Sequence, residues 1–365
     1  MTGLLSTISY LYDTCISTDF HLRPILITYY LLLNPFSCFR DYIPFSCQVY
    51  VVKGSDLGVT LRLSRYAMAC EFEILLSGEE RQHLVDVADL ALDDIARLDE
   101  QLSRFISTSE VSYLNFEAAK HDVIVEPGLF ELLRLAKQAW FETDGAFDVT
   151  AGPVVDLWRE AERSGNEPGM QAINDALAKV GMEHVLLDEE KNSVRFDIDG
   201  VRIDLGAMGK GYAVARAASI LKEYDIESAL ISGGRSTLCA IGDEGWNVGI
   251  RHPSKLDERV TSIMLRNQAM STSGGPAQRD AEAEERFEHI IDPRTGMPAE
   301  SGAVSVSVIT DDAALSDVLS TAFYVRGQEF AEAYCKMHPI IKAIFVAIDC
   351  EGQSPVIKWI GGADG

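Results

Sequence analysis

A mixed α+β fold with mostly antiparallel strands is predicted by three observations. Stretches with helical spacing and stretches with strand-like alternation both occur, several strand-like runs follow one another between Ala229 and Met270 without an intervening helix, and no fixed-period repeat appears. "MACEFEILL" alternates enough to be a strand, and "EERQHLVDVADLALDDIARLDEQLS" carries Leu84, Val87, Leu90, Ile95 and Leu98 at roughly helical spacing. A second helix is predicted from Pro127, a good first-turn residue, to about Glu142, ending before Asp144-Gly145. Short strands are expected around Val185, Val194 and Val201. A helix of small residues follows them, with Ala213, Val214, Ala217, Ala218 and Leu221 at helical spacing. After the run of strands come "AVSVSVI" as a strand, "DDAALSDVLSTAFYV" as a helix, a further helix, and a last strand from about Ala343 to Ile348.

The chain has 365 residues, 47% of them hydrophobic, enough for one large core or two domains. Its formal net charge of −24 argues against a nucleic-acid partner, which needs a basic surface to displace counterions. Seven cysteines, with no C-x-x-C pair, read as unpaired and mostly buried thiols rather than a zinc cage or disulfide framework. The first sixty residues are rich in tyrosine and phenylalanine and poor in charge. They lack the basic start and small-residue cleavage site of a secretory leader, and the apolar stretch 24–36 is too short to span a bilayer. Residues 1–60 are therefore read as an atypical extension from a misplaced start codon, with a membrane-surface segment as the alternative, and residues 61–365 as the functional domain.

"RIDLGAMGKGYAVARAASIL" raises the question of a phosphate site, because a glycine-rich turn leads into a helix whose first turn offers N–H groups and the positive dipole end. The G-x-x-x-x-G-K-[ST] pattern fails, since Asp204 and Gly211 stand where glycine and a hydroxyl are required. The spacing of Gly206, Gly209 and Gly211 does not fit the dinucleotide fingerprint either. On local grounds a tight strand-to-helix connection with a surface lysine remains open.

Four segments in order, "DGAFDVTAGPVVDLW", "IDLGAMGKGYAV", "HIIDPRTGMP" and "ALSDVLSTAFYV", resemble the ApbE family of FAD:protein FMN transferases over about residues 61–360. The resemblance implies a two-lobed, T-fold-related α+β domain with flavin bound in a crevice between the lobes. The activity it implies is Mg²⁺-dependent cleavage of FAD, with FMN attached through a phosphoester bond to a threonine of a target flavoprotein and AMP released. Family members usually act in the periplasm or on the outer face of the cytoplasmic membrane, though no leader is visible here. An FAD pyrophosphatase and a non-catalytic or electron-carrying flavin protein are the alternatives.

By the same resemblance, Asp317, Thr321 and the backbone carbonyl of Ala207 match the metal ligands, hard oxygen donors suited to Mg²⁺. Met68, Phe105, Ala146, Phe147, Asp148, Asp204, Lys210 and Ile290 match flavin-binding positions. His289 and Asp317 match the catalytic ones, with His289 as the acid–base group. Read from the residues alone, Asp317 and Thr321 lie four apart on a helix face opposite Leu315, Val318, Leu319 and Ala322, which also suits a plain solvated face. Likewise, His289 suits a structural hydrogen bond at a strand end, Met68 and Phe147 suit ordinary core positions, and Asp148 suits a turn. In "HIIDPRTG" the Asp292-Pro293 pair and Gly296 mark a turn. Arg235 stands where many relatives have an aspartate, and no role is carried onto it.

Overall fold

The computed structural model describes residues 50–51, 59–252, 255, 258–274, 290–349 and 354–362, all within one compact unit, Ser46–Gly365. Along the chain run β1 (Tyr50–Val51), β2 (Val59–Ala67), β3 (Cys70–Gly78), α1 (Arg81–Leu102), α2 (Glu110–Glu117), β4 (Val123–Ile124), α3 (Pro127–Glu142), α4 (Gly152–Ser164) and α5 (Met170–Leu177). Then follow β5 (Val185–Asp188), β6 (Ser193–Phe196), α6 (Gly209–Glu223), β7 (Ala229–Gly233), β8 (Thr237–Ile241), β9 (Trp246–Arg251), β10 (Arg259–Leu265) and β11 (Ala269–Gly274). The rest is β12 (Ile291–Asp292), β13 (Met297–Pro298), β14 (Ser305–Thr310), α7 (Ala313–Arg326), α8 (Gln328–Met337), β15 (Lys342–Ile348) and β16 (Pro355–Ile360).

The principal sheet has nine strands in the order β1-β2-β3-β7-β8-β11-β14-β15-β16, and every neighbouring pair is antiparallel. A three-stranded antiparallel sheet, β4-β6-β5, belongs to the smaller region formed with α2–α5. The α+β expectation therefore holds, and the one parallel contact among the described residues is the isolated bridge between Ala151 and Arg202.

The sheet is buried on both faces. In β14, Val308 packs with Leu319 and Phe323 of α7, whereas its neighbour Ile309 packs on the opposite side with Val248 and Ile250 of the β9–β10 hairpin. One face carries α1, α6 and α7. Burial of Leu84, Val87, Ala88, Ala91, Leu92, Ile95, Leu98 and Leu102 at three- and four-residue steps explains why the first long helix was legible in the sequence. Helix α3 begins at Pro127 as predicted.

Several expectations are corrected. No strand forms at Val201, because the chain there turns past Ala151 and makes only the single bridge at Arg202. The strand ending at Ile348 is not the last, since β16 pairs with it through six registered positions. Helices α4 and α5, not anticipated, bury Val154, Trp158, Ala161, Ile173 and Ala176 as a satellite core with Ile291. Trp158 closes that core by donating its indole N–H to the Gly296 carbonyl at 2.7 Å, at the turn that Asp292-Pro293 and Gly296 predicted.

Among the described cysteines, Cys70, Cys239 and Cys335 are free thiols, the last two buried; Cys15, Cys38, Cys47 and Cys350 lie outside the described residues. No helix among the described residues is long and apolar enough to cross a membrane.

Candidate active site

A cavity of about 610 Å³ opens between the smaller region and the helix-covered face of the large sheet. Nine of the residues singled out in the sequence line it: Ala146, Phe147, Asp148, Asp204, Ala207, Lys210, Ile290, Asp317 and Thr321. The first three follow α3, Asp204 and Ala207 lie in the connection into α6, Lys210 is in the first turn of that helix, Ile290 precedes β12, and Asp317 and Thr321 project from α7. Residues up to 175 positions apart in sequence, Ala146 and Thr321, thus meet in one space.

Asp317 is not on a solvated helix face. Only 6% of it is exposed, because α6 and the sheet enclose α7 and eleven of that helix's fourteen residues are buried. The helical wheel orders side chains about their own helix and is blind to what packs around it. One carboxylate oxygen, Oδ2, accepts the Gly211 backbone N–H at 2.9 Å; Oδ1 accepts the Thr237 hydroxyl at 3.4 Å. Burial raises the Asp317 pKa, with Lys210 and these two donors pulling the other way. The N-terminus of α6 is therefore not a free anion cradle: Gly211 gives its N–H to Asp317, and the Gly209 N–H bonds the Leu205 carbonyl at 2.7 Å.

Asp204 is fixed from two sides. Its Oδ1 accepts the Gly206 N–H at 2.9 Å and its Oδ2 pairs with Arg104 Nε at 2.8 Å. Arg104, almost buried, also reaches Asp156 of α4 at 2.8 Å and tightens the wall formed by that helix. The partner of Asp204 was not legible in the sequence, because the two residues lie one hundred positions apart.

Asp148 accepts both the Thr150 N–H at 2.7 Å and the Thr150 hydroxyl at 2.6 Å, yet burial outweighs these bonds and its carboxyl is pushed up to about 6. The native state then holds this proton more tightly than the unfolded chain, where the carboxyl titrates at 3.8. Stability from this group is accordingly full below pH 4 and lost as pH rises through 6, about 3 kcal/mol in all. Asp148→Asn should flatten that slope. Urea unfolding of both proteins at pH 4 and pH 6.5 checks it, and equal slopes would remove Asp148 as the cause.

The lining carries four carboxylates (Asp148, Glu162, Asp204, Asp317) against two cations (Arg159, Lys210). A pyrophosphate entering this space needs additional positive charge. Among the described residues no group of three or more His, Cys, Asp or Glu side chains gathers, so a cation held here would need hydroxyl and carbonyl oxygens beside carboxylate. The donor set suits that. Thr321 Oγ1 lies 3.0 Å from Ser273 Oγ and 3.4 Å from the Asp317 carbonyl, and Asp317, Thr321 and Ala207 share the cavity with Lys210. All are hard oxygens of the type Mg²⁺ takes together with phosphate.

Two predicted residues are not among those lining the cavity. Met68 stands with Ala69 in the two-residue β2–β3 turn, both at positive φ, where its N–H bonds Asp99 at 2.8 Å and its side chain packs on the main core. Phe105 is 69% exposed, with the guanidinium groups of Arg104 and Arg159 at 4.7 and 4.9 Å from its ring centre. Because Arg159 lines the cavity, Phe105 is one side chain removed from the opening. His289 lies outside the described residues. Arg235 is exposed at the β7–β8 turn, at φ 62°, and nothing there assigns it a role. Sequence reasoning missed Ser236, Thr272, Ser273 and Tyr324, which also line the cavity; the hydroxyl run in "MSTSGG" was the available signal.

The ApbE family model matches residues 64–345. An FAD:protein FMN transferase of Klebsiella pneumoniae is 32% identical over 253 residues, 69% of this chain and 79% of that protein. One from Escherichia coli K12 is 29% identical over 293 residues, 78% and 80% of the two chains. Among solved structures, the flavin transferase ApbE of Vibrio cholerae has a TM-score of 0.70 at 25% identity, covering 82% of this chain and 97% of that one. The ApbE protein of Thermotoga maritima has a TM-score of 0.71 at 29% identity, covering 81% and 96%. With the match running through both walls of the cavity and through the helix that carries Asp317 and Thr321, the chain belongs to the ApbE family.

Proposed function

We propose that this protein is an FAD:protein FMN transferase, which cleaves FAD and attaches the FMN half to a threonine hydroxyl of an acceptor flavoprotein. The observation that carries this reading is the convergence of Ala207, Lys210, Asp317 and Thr321 in one acid-rich cavity, in a chain whose relatives bear that enzyme's name. FAD is the substrate and a second protein the acceptor. Asp317, Thr321 and the Ala207 carbonyl would hold Mg²⁺, whose charge neutralises the pyrophosphate and the departing AMP. Lys210 adds a second positive charge to the same region, and Phe147 and Ala146 offer an apolar wall for the flavin.

In the reaction the acceptor oxygen forms a bond to the phosphorus of the FMN half while the bond from that phosphorus to the AMP oxygen breaks. The hydroxyl proton leaves to a base, a role that the family resemblance gives to His289. The chain's own contribution is positioning and fixed charge, which is most of what phosphoryl transfer asks of a protein.

Incubation of the purified protein with FAD, Mg²⁺ and a candidate acceptor flavoprotein should give AMP together with flavin fluorescence that stays on the acceptor after denaturation. Chelation of the metal should abolish both. FMN and AMP released in equal amounts, with the acceptor unlabelled, would replace transfer by hydrolysis. FAD binding without either product would leave a flavin carrier.

A further inference from the structure

We propose that Ser273 and Ser320 are positioning residues that turn the proton of Thr321 away from the cavity, so that its hydroxyl presents only lone pairs to a cation. The inference rests on the metal reading above and concerns residues that this reading leaves without a role.

With four contacts for three protons, the three shorter contacts set the direction of the network and the 3.4 Å one is secondary. Ser320 Oγ donates to the Asp317 carbonyl at 2.9 Å, and a carbonyl has no proton to return. With its one proton committed, Ser320 must accept at the 2.7 Å contact to Ser273, so Ser273 is the donor there. Ser273, its own proton now used, must in turn accept at the 3.0 Å contact to Thr321. The other partner of Thr321, the Asp317 carbonyl at 3.4 Å, is also an acceptor. Both routes draw the Thr321 proton inward. Ser320 is fully buried, which shields that end of the relay from solvent.

The consequence is chemical. A threonine hydroxyl at the wall of a phosphate-binding cavity can donate to a phosphate oxygen or offer lone pairs to a metal, and it does the second only if its proton has somewhere else to go. Ser273 on β11 and Ser320 on α7, 47 positions apart in sequence, supply that place across a helix–sheet contact. Groups behind a metal ligand that orient it commonly change metal affinity by about 10–100-fold when removed.

The test is Mn²⁺ binding followed by electron paramagnetic resonance, with saturating ADP to supply a pyrophosphate, and thermal midpoints recorded alongside. Ser273→Ala and Ser320→Ala should each weaken Mn²⁺ binding by about tenfold, whereas Ser273→Thr, which keeps the hydroxyl, should bind as the unaltered protein does. In a Thr321→Val background, Ser273→Ala should cause no further loss, because its effect passes through Thr321. An equal loss of affinity in both backgrounds would overturn the relay and make Ser273 either a direct ligand or a packing residue. Unchanged affinity in Ser273→Ala and Ser320→Ala would also overturn it. If the unaltered protein takes up no Mn²⁺ at all, the metal reading itself falls and the relay with it, an outcome distinct from a failed coupling.

Discussion

Asp317→Asn is expected to lower Mg²⁺-dependent FAD cleavage by roughly 10²–10⁴-fold while leaving the fold in place. Polarisation of a phosphoryl oxygen by a bound cation is worth several kcal/mol in the transition state, and each 1.4 kcal/mol is about tenfold in rate. The amide keeps the volume of the carboxylate and still offers an oxygen to the Gly211 N–H at the 2.9 Å contact, so the bond that joins α7 to α6 survives. What is lost is the charge. Asp317→Ala is a poorer test, because it strands the Gly211 N–H in the interior, where an unsatisfied donor costs about 1–3 kcal/mol. Turnover measured as AMP release, beside the thermal midpoint, separates the two variants. Normal turnover in the asparagine variant would remove Asp317 from the metal set.

Gly211→Ala is expected to cost about 3 kcal/mol of stability, at the upper end for overpacking. A Cβ built there lies 2.5 Å from the Ala313 carbonyl oxygen, 2.6 Å from Asp317 Cβ and 3.0 Å from Ala314 Cα, and two of these three atoms are backbone. No rotamer change relieves such a contact, so α6 must move away from α7. The movement stretches the Gly211–Asp317 hydrogen bond and shifts Lys210, the adjacent residue, within the cavity. FAD cleavage should therefore fall with the melting temperature. Gly209 offers the control, since nothing lies within 4 Å of a Cβ at that position, and Gly209→Ala should leave stability within about 1 kcal/mol. A Gly211→Ala protein as stable as the unaltered one would show that the helix pair is loosely packed.

These two variants also mark the line between sequence and tertiary structure. The sequence by itself determined the elements whose buried faces repeat locally. Examples are α1 with its apolar stripe, α3 from its proline start, the small-residue helix α6, and the turn at Asp292–Gly296. Its four ordered segments also indicated the family, and residues of all four line one cavity. Periodicity gave the helices because helix and strand repeats are short-range properties of the backbone, whereas the family came from the resemblance of those segments alone. Only the tertiary structure decided what those faces meet. It placed Asp317 in the interior, and it made Gly211 a packing glycine whose N–H bonds that carboxylate, where the sequence suggested a phosphate loop. It paired Arg104 with Asp204 and joined Ser273 to Ser320 and Thr321. Each of these contacts spans at least 47 positions of chain, and a pattern that records which side of an element is apolar contains nothing about which distant side chain will lie against it.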